Sequence, residues 1–244
     1  MDTKTVVLMP TYNEIENIDR MVSQVRTQGV SILIIDDHSP DGTGERADAL
    51  AAGDLEVHVL HRRGKQGLGP AYIAGFEWAL GAGFDACVEM DADGSHRPDE
   101  LPRLLTALQD ADVVQGSRWV SGGKVVDWPW YRKAISRGGS WYSRTLLGLP
   151  VRDVTGGYRA YRRSALERIG FASVSSAGYC FQIDMLRRAH DAGMRIVEVP
   201  ITFADRALGA SKMSGRIVVE AMWRTTVWGL QRWTGRAASA RTAE

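Results

Sequence analysis

Cysteine is scarce: the 244 residues hold two, Cys87 and Cys180, both in apolar surroundings and without Cys-x-x-Cys spacing. Neither a disulfide framework nor a zinc centre is expected, and reduced thiols suit a cytoplasmic protein. An excess of charge of either sign is also missing, with 30 Lys and Arg against 29 Asp and Glu and a formal charge of +1. That balance argues against nucleic-acid binding through a basic surface. No stretch approaches the roughly 18 consecutive apolar residues that a spanning helix needs. The apolar segment after Met1-Asp2-Thr3-Lys4 is too short for the core of a signal peptide, so export is not expected. Internal repeats and low-complexity linkers are absent, and only residues 236–244 read as a frayed tail. What remains is a chain with 44% hydrophobic residues, long enough to bury one large α/β core over residues 1–235.

Its order is an alternation. Apolar runs at residues 5–9, 31–35, 55–60, 87–90 and 112–115 read as strands, and amphipathic or small-residue stretches between them read as helices. The first helix carries Ile15, Ile18, Met21, Val22 and Val25 on one face, and the third runs over residues 71–82. Strands alternating with helices predict a doubly wound, mainly parallel sheet.

The chain is organised around Cys87-Val88-Glu89-Met90-Asp91-Ala92-Asp93-Gly94-Ser95-His96, an apolar run that surfaces in two carboxylates one residue apart. Open α/β sheets bind ligands at the carboxyl ends of their strands. There Asp91 and Asp93 are placed to hold a nucleotide diphosphate through Mg²⁺ or Mn²⁺, which take oxygen ligands. Taken alone, Asp-x-Asp is also a common strand-to-turn sequence; further acidic strand ends, Asp36-Asp37 above all, favour a site. Residues 64–69 are glycine-rich and basic but lack both Gly-x-Gly-x-x-Gly and a Gly-Lys-Ser/Thr ending, which excludes a dinucleotide fingerprint and a P-loop.

Five segments occur together: Pro10-Thr11-Tyr12-Asn13-Glu14, Ile35 through Thr43 with Ser39-Pro40-Asp41-Gly42-Thr43, Met90-Asp91-Ala92-Asp93, Gly116-Ser117-Arg118, and Gly156-Gly157-Tyr158-Arg159. In this order they resemble the family 2 glycosyltransferases of the GT-A fold, and within them the polyprenol (dolichol) phosphate mannosyltransferases. The resemblance runs from about Val6 to Lys212 and is sharpest in the Ser-Pro-Asp-Gly-Thr run and in Phe203-x-x-Arg206-x-x-Gly209-x-Ser211-Lys212. It implies a nucleotide-sugar half in residues 1–118, an acceptor half in 119–214 and a C-terminal amphipathic helix in 215–235. Pro10, Tyr12, Glu14, Ile35 and Asp37 then line the base and ribose pocket. Asp91, Ala92 and Asp93 meet the sugar nucleotide, with Asp93 the principal metal ligand. Many relatives carry Gln where this chain has Ser95, so a hydroxyl replaces an amide as the third metal contact. Arg118 is implied at the diphosphate, and Asp153 and Arg159 at the acceptor. On residue chemistry alone, Glu14 also fits a helix N-terminus, and Arg118 also fits a solvated surface.

The second half has less periodicity. Residues 119–132 form no regular pattern, and 133–147 read as a helix. Trp128, Trp130, Trp141 and Tyr142 read either as an interface-seeking groove for a lipid chain or as core. An edge strand over residues 195–199 stops at Pro200; Arg206 and Lys212 then sit in a glycine-containing loop suited to clamping a leaving diphosphate. A helix over 217–233, interrupted by Glu220, Arg224 and Arg232, suits a membrane surface or a partner better than a span.

The resemblance implies inverting transfer of mannose from GDP-mannose to a polyprenyl monophosphate, giving a β-mannosyl lipid at the cytoplasmic face of a membrane, beside a lipid surface or a membrane-protein subunit. Composition and spacing leave UDP-glucose open as the donor. A family 2 polysaccharide synthase is the nearest alternative, but Gln231-Arg232-Trp233 lacks the Gln-x-x-Arg-Trp spacing of processive enzymes. A nucleotidyltransferase or a non-catalytic binding module would share the strand-end carboxylates. A nucleotidyltransferase, however, places a glycine-rich loop after its first strand, where this chain has residues 10–14.

Overall fold

The computed structural model describes residues 3–174, 179–204 and 215–235. Its centre is a seven-stranded sheet. Strand β1 (Thr5–Thr11) pairs in parallel with β2 (Ser31–Asp36) on one side and β4 (Ala86–Glu89) on the other, and β3 (Val57–His61) flanks β2. Beyond β4 the order continues through β7 (Arg159–Arg162), β5 (Val113–Ser117) and β8 (Ile196–Pro200). A two-residue ribbon pairs β6 (Lys124–Val125) with β9 (Thr202–Phe203). Every residue of β2 is buried, as expected where helices cover both faces of a parallel sheet.

Helices α1 (Ile18–Arg26), α2 (Thr43–Gly53), α3 (Leu68–Gly81) and α4 (Leu101–Leu108) alternate with the first strands. The expected face of α1 is present in Ile18, Met21, Val22 and Val25, all buried, but Ile15 precedes the helix and is exposed. Helix α3 begins three residues before the expected start, because Gly67 at φ 100° supplies a left-handed cap that other residues rarely adopt. Its Gly75 lies so close to the sheet that a Cβ would stand 2.6 Å from the Ile35 side chain.

Strand β7 is the departure. It runs antiparallel between β4 and β5, pairing Arg159 with Glu89 and with Gln115. The Gly-Gly-Tyr-Arg segment, which the resemblance places near the acceptor, therefore runs into the sheet. The remaining helices are α5 (Trp130–Leu147), α6 (Arg163–Ile169), α7 (Tyr179–Asp191) and α8 (Gly215–Trp233). Helices α5 and α8 pack together: Gly229 approaches Leu146, Tyr142 Oη and Thr226 Oγ1 are 2.6 Å apart, and Arg232 donates to the Leu147 carbonyl at 2.6 Å. Among the described residues no helix is long and apolar enough to cross a membrane.

Candidate active site

Register brings the acidic strand ends together. Pro10 stands beside Ile35 and Thr11 beside Asp36, while Leu8 stands beside Glu89, so β1, β2 and β4 all emerge at one edge. There Asp36 is a structural acid: it accepts from Thr11 Oγ1 (3.1 Å), Ser39 N (3.1 Å) and Ser39 Oγ (2.6 Å). The Ser39 hydroxyl accepts in turn from Asn13 N at 3.1 Å. Asp41 receives Thr43 N, Thr43 Oγ1 and Ile15 N, and Thr43 Oγ1 accepts from Glu14 N at 3.0 Å. The Ser-Pro-Asp-Gly-Thr run thus fixes the shape of the Pro10 to Glu14 loop, with Gly42 at φ 90° making the turn. Asn13 and His38 both sit at φ 59°, a conformation that these hydrogen-bonded loops hold in place.

Between those loops lie Tyr12 and Asp37. The Lys65 ammonium stands 4.1 Å from the centre of the Tyr12 ring, a cation–π contact. Asp37 is buried and ion-paired with Arg62. Burial raises the Asp37 carboxyl above the ordinary range, against the opposing pull of Arg62. Glu14 accepts from Asn17 Nδ2 at 3.0 Å, and its carbonyl takes the Asn17 and Ile18 amides, so it also shapes the start of α1. The side chains of Ile35 and Ala92, both expected at the nucleotide sugar, pack in the core.

The Asp-x-Asp loop is tied down by groups that periodicity did not single out. Asp91 N donates to His96 Nδ1 at 3.0 Å; the buried His96 ring stacks on Tyr158 at 5.0 Å and meets Phe203 edge-on at 5.4 Å. Asp93, also buried, accepts Ser95 N at 3.0 Å. The Ser95 hydroxyl is buried with no hydrogen-bond partner. Two carboxylates and an orphaned hydroxyl are hard oxygen donors that fit Mg²⁺ or Mn²⁺. No group of three or more His, Cys, Asp or Glu side chains suited to a metal occurs among the described residues, so such an ion would draw further ligands from phosphate and water.

Arg118 and Asp153, expected separately at donor and acceptor, form one buried pair. Arg118 N and Nε donate to Asp153 Oδ2 (2.9 and 2.7 Å), and Nη2 reaches Asp153 Oδ1 (2.7 Å) and Thr155 Oγ1 (3.1 Å). Their side chains are 6% and 0% exposed. Glu198 holds this segment from below through the Arg152 and Asp153 amides. Arg159 does not reach a ligand surface: its fully buried guanidinium bonds Gln115, the Gln182 carbonyl (2.6 Å) and the Val154 carbonyl (2.8 Å). Sharing its layer of the sheet is Glu89, an acid missed in the sequence because it reads as part of an apolar strand. Burial pushes its carboxyl up to about 8, against the opposing pull of Arg159 and of the Gln182 side chain.

Beside the pair an apolar groove opens between α5 and α8, lined by Trp128, Ile135, Tyr142, Ile183 and Met222 together with Arg118 and Arg132. Phe203 links the two regions, since its ring touches His96 and Trp128 and lies 5.3 Å from the Arg118 guanidinium. Of the four aromatics expected as a lipid groove, Trp128 (7% exposed) and Tyr142 line it; Trp130 and Trp141 are 79% and 67% exposed. Arg206 and Lys212 lie outside the described residues. The chain leads into their segment beside the Asp-x-Asp loop, where Ala204 N donates to Ser95 O at 3.3 Å.

A mainly parallel sheet with one antiparallel insert and carboxylates at its C-terminal edge places the molecule among the GT-A glycosyltransferases. The same fold occurs in Mycobacterium tuberculosis glucosyl-3-phosphoglycerate synthase, solved with Mn²⁺, UDP-glucose and phosphoglyceric acid (TM-score 0.66, 20% identity, covering 96% of this chain and 80% of that one). It occurs also in a Pyrobaculum calidifontis mannosyltransferase solved with GDP-Man and Mn²⁺ (TM-score 0.56, 15% identity, 99% and 76% covered). The model of glycosyl transferase family 2 matches residues 6–170, and the chain belongs to that family. Over 238 residues it is 55% identical to an undecaprenyl-phosphate mannosyltransferase of Micrococcus luteus, covering 96% of this chain and 98% of the relative. A polyprenol monophosphomannose synthase of Mycolicibacterium smegmatis is 53% identical over 238 residues, covering 96% and 90%.

Proposed function

We propose that this glycosyltransferase moves mannose from GDP-mannose to the phosphate of a polyprenyl monophosphate, releasing GDP with inversion at the anomeric carbon. The observation that carries the reading is the adjacency of the two half-sites. A contact chain from Asp91 through His96 and Phe203 joins the Asp-x-Asp loop to an apolar groove lined in part by Arg118 and Arg132. The names of the 55% and 53% identical relatives support the same donor sugar and lipid class. GDP as the carrier is supported by the ligand of the Pyrobaculum mannosyltransferase.

On this reading Tyr12, Glu14 and Asp37 hold base and ribose, and Asp91, Asp93 and Ser95 hold Mg²⁺ or Mn²⁺ against the diphosphate. When bound, that ion supplies charge neutralisation for the departing GDP. The lipid lies in the α5/α8 groove, and Arg118, fixed by Asp153, orients the acceptor phosphate. A phosphate monoester has a second pKa of about 6 and arrives ionised, so no protein base is needed. The acids nearby agree with this: Asp153 is tied to Arg118, and burial favours the protonated form of Glu89 at neutral pH. Arg206 and Lys212 are assigned to the leaving diphosphate on sequence alone. With the exposed indoles of α5 and α8 facing lipid, the protein works peripherally at the cytoplasmic face of the membrane, on a lipid surface or against a membrane-protein subunit.

The test is GDP formation by the purified protein supplied with GDP-mannose and Mn²⁺ or Mg²⁺. Adding polyprenyl phosphate is expected to start turnover and carry mannose into the organic phase, and chelation is expected to stop it. Equal turnover with dephosphorylated polyprenol, or a preference for UDP-glucose, would refute the assignment.

A further inference from the structure

The base pocket contains an arginine that no family motif quoted above includes. Arg62 is the first residue after β3; its backbone amide donates to Asp36 O at 2.8 Å, which extends the β2/β3 ladder by one bond and fixes where the side chain starts. From there Nη1 bonds Asp37 Oδ1, and Nη2 bonds Gln66 Oε1 at 3.0 Å, while the Gln66 backbone amide donates to the same Asp37 carboxylate. The two charged side chains are 11% and 8% exposed, so solvent screens the pair only weakly. Gln66 lies on the same short loop as Lys65, whose ammonium covers Tyr12. Arg62 therefore joins the two walls of the pocket: the carboxylate on β2, and the loop that closes over the β1 tyrosine.

We infer that Arg62 is a positioning residue for base recognition: by fixing the plane of the Asp37 carboxylate it sets the preference for a guanine donor. The inference rests on the donor reading given above. Guanine presents two adjacent donors, N1–H and the 2-amino group, which match the two oxygens of a carboxylate held in one orientation. Hypoxanthine lacks the amino group, and uracil offers a single N–H between two carbonyls. A carboxylate free to rotate loses the pairing that separates these bases, although it still accepts one hydrogen bond. Without Arg62, Asp37 would also lose the charge that opposes its desolvation.

The experiment compares the Kd of GDP, IDP and UDP, each with Mn²⁺, for the wild type and for Arg62→Met, Arg62→Lys and Gln66→Ala. The wild type is expected to bind GDP about tenfold or more tighter than IDP, the worth of one hydrogen bond to a charged acceptor. Arg62→Met is expected to bring that ratio to about threefold or less, with Arg62→Lys between them. Gln66→Ala, an exposed change that leaves the fold intact, is expected to lower the ratio with an unchanged Tm. An arginine that merely stabilised the loop would weaken all three nucleotides equally, and an unaltered GDP:IDP ratio in Arg62→Met and Gln66→Ala would overturn the inference. A wild type that prefers UDP to GDP would overturn the donor reading itself.

Discussion

Asp93 and Ser95 show how differently single residues at one site are fixed. Asp93 is buried and accepts the Ser95 amide, whereas the Ser95 hydroxyl is left without a partner. Asp93→Ala is expected to abolish metal-dependent binding of GDP-mannose and leave the thermal midpoint near the wild-type value; calorimetric titration with and without Mn²⁺ checks both. Arg118 and Asp153 behave otherwise, because removing one member of a buried ion pair strands the other charge. Arg118→Met should cost about 3–5 kcal/mol of stability, read from urea unfolding, in addition to its effect on turnover. Glu89 adds a pH signature. Its folded-state value of about 8 exceeds the ordinary glutamate value, so the native protein keeps a proton that the unfolded chain releases. Stability attributable to this group is therefore full in acid and falls as pH rises, with the loss complete above about 8. Glu89→Gln, which mimics the protonated acid, should flatten that part of the profile in urea midpoints measured from about pH 5 to about pH 8. Parallel profiles would show that Glu89 is not the group responsible. Among these residues the sequence made the Asp-x-Asp pair legible, because carboxylates ending an apolar strand have few structural uses. It did not reveal the burial of Arg159 or the Arg118–Asp153 pair, which depend on contacts between residues 23 to 44 positions apart.

At the scale of elements, the parallel half of the sheet was readable because each strand is an apolar run followed by a turn and an amphipathic helix. Strand β7 was not: it is four residues long, carries two arginines, and owes its place to pairing with β4 and β5. Periodicity in residues 159–162 has too few positions to register. A Cβ on Gly156 would stand 2.7 Å from Gln115 Nε2, so the segment must pass close to β5. The helix pair α5/α8 was legible as two helices, and the aromatics of residues 128–142 as one reading of a groove; that Met222 of α8 lines it too was not legible. The pair leaves Trp130, Trp141, Trp223 and Trp233 between 67% and 79% exposed, an arrangement that suits a lipid surface. Flotation with anionic vesicles should carry the wild type upward, and the double change Trp141→Ser with Trp223→Ser should reduce that fraction severalfold without lowering Tm. Equal flotation of both proteins would count against these helices as the contact.

In the whole molecule, the proposed function would join a nucleotide sugar at the sheet edge to a lipid between two helices, with displacement where the two meet and no protein base. The most direct measurement is the structure of the product. ³¹P and ¹H NMR of the lipid formed from GDP-mannose and polyprenyl phosphate should show a mannosyl phosphodiester whose anomeric configuration is opposite to that of the donor. A product with the donor's configuration would contradict single displacement by the lipid phosphate and require a covalent intermediate on the protein, for which a nucleophile would have to be found.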